Sequence, residues 1–306
     1  MTIRKIQSII LLASVLFTGC NTPGEHTSPE AEAGFSFAFL TDIHVQPEDR
    51  AAEGFLQAID TVNKLKPDFV ITGGDLVMDA LNTGYGRADS LYELYAELSS
   101  RLNMPVYNTV GNHEVYGWHS DEAGIEGHPD YGKSMYEKRI GKRFYSFDHK
   151  NWHFIVLDAI GRGEDGHYIG KVDKEQIAWL KEDMEAVDPL TPIAVSVHIP
   201  FITSSTQLMK GSTASNAESI VITNSSEVLG LFREHNLRLV LQGHLHYLED
   251  IFVQNQIHFI TGGAVCARWW KNKPGAPLQE GFVLLKLNGE DVDWEYVDIG
   301  WTTPYE

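Results

Sequence analysis

The chain has 306 residues, of which 43% are hydrophobic and 22% charged, so it can form one sizeable globular core or two small ones. This composition excludes intrinsic disorder and collagen-like repeats. Its 24 Lys and Arg against 42 Asp and Glu give a formal charge of -18, so we expect no binding of nucleic-acid duplexes. An acidic chain can still bind an anionic substrate where bound metal ions reverse the local field.

The N-terminal segment has the pattern of an export signal. Basic residues precede an apolar run over residues 9–17, which is too short to span a bilayer and ends just before Cys20. Small residues directly before a cysteine resemble the lipobox of bacterial lipoproteins, which implies a lipid on Cys20 as a membrane anchor. We therefore predict a signal peptide at 1–19, a lipidated cysteine with a polar tether at 20–33, and an exported protein on the periplasmic or cell-envelope face of a membrane. Phe17 stands where that motif usually has Leu or a small residue, so ordinary signal cleavage nearby is the alternative.

From residue 35 onward the chain alternates short apolar runs with longer amphipathic runs, which is typical of α/β proteins. In chain order we predict strand 35–40, helix 51–65, strand 69–72, helix 90–102, strand 105–109, strands 144–147 and 152–157, helix 173–186, strand 193–197, helix 226–234 and strand 238–241. Four further strands follow with no helix between them, at 248–253, 257–261, 282–287 and 292–297. Residues 34–306 are predicted to form one domain.

Polar residues of metal-ligand types follow five of these strands at their C-terminal ends. They are Asp42 and His44, then Asp75, then Asn112 and His113, then His198, and finally His244 and His246. In open α/β sheets, ligands bind beyond the carboxyl ends of the strands, so these side chains are expected to meet. Glycines beside them allow the sharp turns that such convergence needs.

Each of these short motifs is weak evidence alone, because Asp and His are common at strand ends as turn formers and helix caps. The joint pattern is more specific, since all five motifs occur in one chain and each follows a predicted strand. Five of the 13 histidines belong to it. The other eight lie in polar or loop contexts and are predicted to be surface residues.

The ordered set Asp42-x-His44, Gly74-Asp75, Gly111-Asn112-His113-Glu114, His198 and Gly243-His244-x-His246 resembles the five-block signature of the calcineurin-like metallophosphoesterases. The resemblance covers most of the chain after the tether. It implies an α/β fold of the four-layer α/β/β/α sandwich type, with mixed sheets and the site at one sheet edge. It also implies a ligand set: Asp42, His44 and His246 on one metal, Asn112, His198 and His244 on the other, Asp75 bridging both, and His113 as a catalytic residue that binds no metal.

These residue types suit hydrolysis of phosphate esters. Two divalent ions can lower the pKa of a bridging water and stabilise both oxygens of an in-line displacement, so we expect attack by a metal-bridging hydroxide. Imidazole, carboxylate and amide ligands without thiolate favour Mn, Fe or Zn. His113 would protonate the leaving group. A carboxylate should orient it, and Asp79 is less favoured for this role than Asp42 or Asp75.

Departures from particular subfamilies narrow the substrate class. Purple acid phosphatases have a Tyr three residues after the bridging Asp, where this chain has Met78, so we reject that subgroup. The Gly-Asp and Gly-Asn-His blocks lack the arginines with which protein phosphatases grip a phosphomonoester. The pattern is closer to the bacterial enzymes that resemble cyclic-nucleotide phosphodiesterases, so a small phosphodiester is the preferred substrate. The alternatives are a broad phosphomonoesterase that scavenges phosphate and, less favoured, a lipoprotein that binds phosphorylated ligands without turnover.

Irregular segments are expected to supply the substrate contacts. One runs over 116–131 and another over 203–223, each directly after a predicted site histidine. A third contains Arg268, Trp269 and Trp270. Adjacent side chains on a strand point to opposite faces, so both tryptophans cannot enter one core. One of them is expected either at the rim of the site or over an open sheet edge.

Overall fold

The computed structural model describes residues 34–273 and 276–303, so the predicted signal peptide, lipidated Cys20 and tether lie outside the described residues. The strands are β1 (Phe35–Leu40), β2 (Phe69–Thr72), β3 (Val106–Asn108), β4 (Tyr145–His149), β5 (Trp152–Val156), β6 (Ile160–Arg162), β7 (Tyr168–Gly170), β8 (Pro192–Ser196), β9 (Asn236–Gln242), β10 (Leu248–Val253), β11 (Ile257–Gly262), β12 (Gly281–Asn288) and β13 (Asp291–Asp298). The α-helices are α1 (Ala51–Leu65), α2 (Tyr85–Ser99), α3 (Ser134–Arg139), α4 (Lys174–Ala186), α5 (Ser205–Lys210) and α6 (Ser225–Gly230).

The strands form two large mixed sheets and a small hairpin. The first sheet has the order β13-β12-β1-β2-β3, with β1, β2 and β3 parallel and β12 antiparallel to β1. The second has the order β10-β11-β9-β8-β5-β4, with a parallel centre and an antiparallel strand at each edge. The predicted site residues follow the central strands of both sheets, at the carboxyl end of each strand. The third unit is the antiparallel pair β6-β7.

The two sheets pack face to face through an aromatic core. Alternate residues of β1, which are Phe35, Phe37 and Phe39, point into this core. The Phe37 ring stacks on Phe69 of β2 at 4.9 Å and meets Phe154 of β5 edge-on at 5.6 Å. Each sheet therefore buries one of its faces against the other sheet.

Helices cover the outer face of each sheet. Ala38 and Leu40 of β1 pack with residues of α1 and α2 in one cluster. In a second cluster, Ile155 of β5 and Val195 of β8 pack with residues of α4. Three apolar interfaces therefore separate four layers, which confirms the predicted α/β/β/α sandwich.

Most predicted elements are present, with shifted ends. Helix α2 begins at Tyr85 rather than at residue 90, and the Gly84 carbonyl before it accepts hydrogen bonds from the Arg87 and Ala88 N–H groups, each at 3.1 Å. Helix α6 ends at Gly230, four residues before its predicted end at 234, and the chain continues in turns. Glycine favours such an ending because it stabilises helix poorly. Among the described residues, no helix combines the length and apolar character needed to cross a membrane.

His153 corrects the prediction that the remaining histidines are surface residues. It is 7% exposed, and its two ring nitrogens lie 2.6 Å from an Asp148 oxygen and 3.0 Å from an Asp183 oxygen. Burial lowers the pKa of His153, but these two carboxylates outweigh burial and the pKa lies above its ordinary value. The His153 ring between two carboxylates joins β5 to β4 and α4.

The close approach of α1 to Trp270 generates a stability prediction. A Cβ at Gly54 would lie 2.3 Å from the Trp270 ring, which is fully buried, whereas a Cβ at Gly86 of α2 would meet nothing within 4 Å. We expect Gly54→Ala to lower the free energy of unfolding by about 1–3 kcal/mol through overpacking. Gly86→Ala, as the matched control, should raise it by up to about 1 kcal/mol because alanine favours helix. Urea denaturation measures both, and a stabilised Gly54→Ala variant would contradict this packing.

Candidate metal centre

The predicted site residues meet where the loops after the central strands lie side by side. Backbone hydrogen bonds fix this arrangement, since the Asp42 N–H donates to Gly74 O at 3.0 Å and the Gly243 N–H donates to His198 O at 2.9 Å. The first bond joins the loops after β1 and β2, and the second joins the loops after β8 and β9. The Val265 N–H, after β11 of the second sheet, donates to Thr41 O, after β1 of the first, at 2.8 Å, so both sheets contribute to one site.

Several of these residues have left-handed backbone conformations. The φ angles are 55° at Asp42, 47° at His44, 52° at Asp75, 72° at His244 and 47° at His246. This region costs L-residues roughly 1–2 kcal/mol each, although Asp and His tolerate it better than most. Strained turns of this kind are concentrated at functional sites, because they aim side chains that regular strands would not.

One group of side chains comprises Asp42, His44 and His246. The Nε2 atoms of His44 and His246 are 3.1 Å apart, and His246 Nε2 lies 3.4 Å from Asp42 Oδ1. Asp42 is held in place because its two carboxylate oxygens accept from the His244 N–H at 3.0 Å and Oδ2 also accepts from the Thr41 hydroxyl at 2.6 Å. The turn needs Gly243, since a Cβ there would lie 2.0 Å from Thr41 Oγ1.

A second group comprises His198 and His244, to which the family resemblance adds Asn112. The His198 and His244 rings are 5.1 Å apart, and the Asn112 side-chain oxygen is buried with no hydrogen-bond partner among the described residues. Asp75 lies between the two groups, because its Oδ2 atom is 3.1 Å from His198 Nε2 and 3.6 Å from His44 Nε2. One buried carboxylate oxygen is thus shared by imidazoles from both groups.

Backbone carbonyls orient three of the imidazoles. His198 Nδ1 donates to Gly73 O at 2.7 Å, His244 Nε2 donates to Ser219 O at 2.9 Å, and His246 Nδ1 donates to Ala267 O at 2.7 Å. The second nitrogen of each ring makes no bond to these carbonyls and can bind a metal. Metal-binding histidines are usually oriented in this way, by a hydrogen bond from the nitrogen that does not bind the metal. Burial lowers the pKa of His44 well below its ordinary value and that of His244 to about 4, so both rings are neutral near pH 7.

Glu114 has a structural role that sequence reasoning missed. Its buried carboxylate accepts hydrogen bonds from four backbone N–H groups, at 2.9 Å from Asp75, 2.7 Å from Leu76, 3.1 Å from Val77 and 2.7 Å from Gly111. It therefore joins the loop after β2 to the loop after β3. The available signal was an acidic residue directly after the Gly-Asn-His motif.

His113 lies at the open side of the site. Its side chain is 22% exposed, and its ring meets the His44 ring edge-on at 4.7 Å. His113 Nδ1 is 3.7 Å from Asp79 Oδ1, while Nε2 is 4.0 Å from Asp75 Oδ2. His113 Nδ1 is buried with no hydrogen-bond partner among the described residues, so the carboxylate that orients this ring stays a prediction.

Aromatic side chains form the rim. The Trp269 ring lies 4.2 Å from the His44 ring and 4.8 Å from the His246 ring, while Trp270 is fully buried and donates to Ile43 O at 2.9 Å. This confirms the expectation that one of the adjacent tryptophans lies at the site. On another side Tyr168 of β7 meets the His244 ring edge-on at 5.9 Å. Tyr168 could not be predicted as a site residue, because three-residue strands leave little periodic signal.

Comparison with known proteins identifies the class. The family profile described as calcineurin-like phosphoesterase matches residues 35–248. The chain therefore belongs to the calcineurin-like phosphoesterases, a class of metal-dependent phosphoester hydrolases that hold dinuclear metal centres.

Individual relatives agree with this assignment. The chain is 24% identical to a cAMP/cGMP dual specificity phosphodiesterase of Mycobacterium tuberculosis, over 73% of this chain but 64% of the relative, which is less than two thirds of its length. It is also 24% identical to a probable cyclic nucleotide phosphodiesterase of Moraxella catarrhalis, over 71% of this chain and 73% of the relative. Among solved structures, a dimetal phosphatase from Danio rerio has a TM-score of 0.60 at 16% identity and covers 87% of this chain and 96% of its own. At that identity the likeness concerns the fold.

Proposed function

We propose that this protein is a dinuclear-metal hydrolase of phosphate esters that prefers phosphodiesters. The position of Asp75 carries this proposal, because its Oδ2 atom lies within 3.6 Å of imidazole nitrogens from both side-chain groups. A carboxylate that faces two ligand groups is the natural bridge between two cations about 3.5–4 Å apart.

The donor atoms fit two divalent ions. Asn112 Oδ1 is buried without a hydrogen-bond partner among the described residues, which is costly for a polar atom unless something binds it. The buried His198 Nε2 faces Asp75 Oδ2 at 3.1 Å. The donor set of imidazole, carboxylate and amide suits Mn, Fe or Zn. Cys266 lies outside this set, since its sulfur is 3.8 Å from His246 Nδ1, the nitrogen that donates to Ala267 O.

The residues then take distinct roles. One metal would be held by Asp42, His44 and His246, the other by Asn112, His198 and His244, with Asp75 shared. Bound dications supply hydroxide near neutral pH and neutralise charge on the phosphoryl oxygens. His113, which faces the open side of the site, donates a proton to the departing oxygen, and Asp79 lies behind its other nitrogen. We propose in-line attack by hydroxide with no covalent phosphoenzyme.

The preference for diesters is supported by the sequence and by the relatives. The Gly-Asp and Gly-Asn-His blocks contain no arginine that would hold the second negative charge of a monoester. Two curated relatives are named as cyclic nucleotide phosphodiesterases. His113 argues against a binding protein without turnover, because a proton donor at the open side serves reaction rather than binding.

Rates on two model esters test the proposed reaction. We expect purified protein to hydrolyse bis(p-nitrophenyl) phosphate faster than p-nitrophenyl phosphate, to lose both activities on chelation and to regain them with Mn²⁺. A single turnover in ¹⁸O-labelled water should place the label in the released phosphate product, because hydroxide attacks phosphorus directly. Much faster hydrolysis of the monoester would make the protein a phosphomonoesterase. An unlabelled product would mean that water attacks carbon and the C–O bond breaks, whereas retention of configuration at a chiral phosphorothioate ester would reveal a covalent phosphoenzyme.

Two substitutions separate metal binding from proton donation. Asp75→Asn should remove the bridging charge, so metal content measured by mass spectrometry should fall together with activity. His113→Ala should keep its metal and lose activity by roughly 100- to 10,000-fold, the usual contribution of a general acid. Loss of metal in His113→Ala would place that histidine among the ligands instead.

We also propose that the protein is exported and anchored by a lipid on Cys20, which the sequence pattern alone supports. When the full chain is expressed in a bacterium, mass spectrometry should find a mature N-terminus at Cys20 that carries acyl groups. Cys20→Ala should abolish incorporation of labelled fatty acid and release the protein from the membrane fraction. An unmodified N-terminus at another residue would indicate ordinary signal cleavage.

A further inference from the structure

Two histidines beside the candidate metal centre converge outside the proposed ligand set. His119 follows the His113 motif in the irregular segment 116–131, and His167 lies in the turn between β6 and β7. Their nitrogens His119 Nε2 and His167 Nδ1 are 3.1 Å apart, and the ring planes meet at 71°. The fold thus brings together two histidines that are 48 positions apart in the chain, with one nitrogen of each ring facing the other.

This spacing suits a shared metal ion. Nitrogen-to-metal bonds of about 2.0–2.1 Å at tetrahedral or octahedral angles place two ligand nitrogens about 2.9–3.4 Å apart. The same separation of 3.1 Å occurs between the Nε2 atoms of His44 and His246, which the proposed function assigns to one metal. The outer histidine pair therefore has the geometry of a ligand pair within the same molecule.

The backbone holds both rings in position. The His119 N–H donates to Leu81 O at 3.0 Å, and the His167 N–H donates to the Asp165 carboxylate at 3.0 Å. Burial and the adjacent His167 lower the pKa of His119, which keeps its ring neutral, while Asp79 and Asp165 oppose that shift. Neutral imidazoles near carboxylates are what a divalent ion requires.

We propose that His119 and His167 bind a divalent transition metal at an outer site, distinct from the dinuclear centre, with water completing its coordination. Two imidazole nitrogens favour Zn, Co, Ni or Cu over Mg or Ca. This proposal does not depend on the activity of the enzyme, because it concerns different side chains.

The outer site would fix one wall of the catalytic cleft. The base of the β6-β7 hairpin is held by backbone bonds, since Gly170 N–H donates to Glu218 O at 2.7 Å. Its tip has an exposed ion pair of Arg162 with Glu126, which stabilises little. Tyr168 stacks on the His119 ring at 5.6 Å and faces His244. A metal between His119 and His167 therefore holds Tyr168 against the cleft.

Zinc stoichiometry tests the outer site. Full-length protein is stripped with chelator and dialysed against Zn²⁺, and its zinc content is measured by mass spectrometry. We expect about three ions per chain in the unmodified protein and about two in His167→Gln or His119→Gln, because each variant removes one of only two protein ligands. Hydrogen exchange of residues 160–170 should slow on addition of Zn²⁺ in the unmodified protein and stay unchanged in His167→Gln.

His258→Gln is the matched control, since this histidine is also partly exposed and pairs with Asp250 at 2.8 Å, far along the chain from the hairpin. It should keep the zinc content of the unmodified protein. Circular dichroism confirms that each variant is folded. A loss of one zinc ion in His167→Gln supports the outer site whatever the total content. Equal zinc content in His167→Gln and the unmodified protein would mean that the two imidazoles form nothing more than a hydrogen bond.

Discussion

One buried carboxylate, that of Glu114, sets the geometry on which the site depends. It accepts hydrogen bonds from four backbone N–H groups of two loops, and those loops carry Asp75 and Asn112. Polar N–H groups left without partners in a buried region cost about 1–3 kcal/mol each, so the loops stay in strained turns only while this acceptor is present. The loops that carry two of the proposed metal ligands are therefore held by a buried residue outside the proposed ligand set.

The same region concentrates acidic side chains away from water, and burial together with Asp75 raises the pKa of Glu114 to about 8. Asp42, Asp75 and Glu114 are at most 2% exposed and lie on neighbouring loops. Like charges in a low-dielectric interior repel strongly unless cations compensate them. Backbone N–H groups compensate Glu114, and the imidazoles next to Asp42 and Asp75 are the partners that the chain itself offers. Two dications would complete this balance, which agrees with the acidic composition and the anionic substrates of the class.

Much of the fold and the clustering of the site residues could be predicted from the sequence, because both follow from short-range signals. Buried strands give apolar runs, and the residues after parallel strands meet at one sheet edge. The contacts of Tyr168, Glu114 and His119 could not be predicted in this way. Tyr168 lies in a three-residue strand, the Glu114 carboxylate binds backbone N–H groups rather than side chains, and His119 meets His167 of another loop. None of these features leaves a periodic pattern in the sequence. His153 was assigned to the surface because its two carboxylate partners, on β4 and α4, become neighbours only in the folded chain.

His44 and His246 are 202 residues apart in the chain, yet their Nε2 atoms are 3.1 Å apart. Contacts of such high sequence separation form late, since the entropy of closing long loops opposes them until the intervening structure is packed. During synthesis, the first sheet still lacks β12 and β13 when His246 leaves the ribosome. A metal held by both residues would therefore bind only after these late contacts form, and it would act as a cross-link between the two sheets that resists their separation.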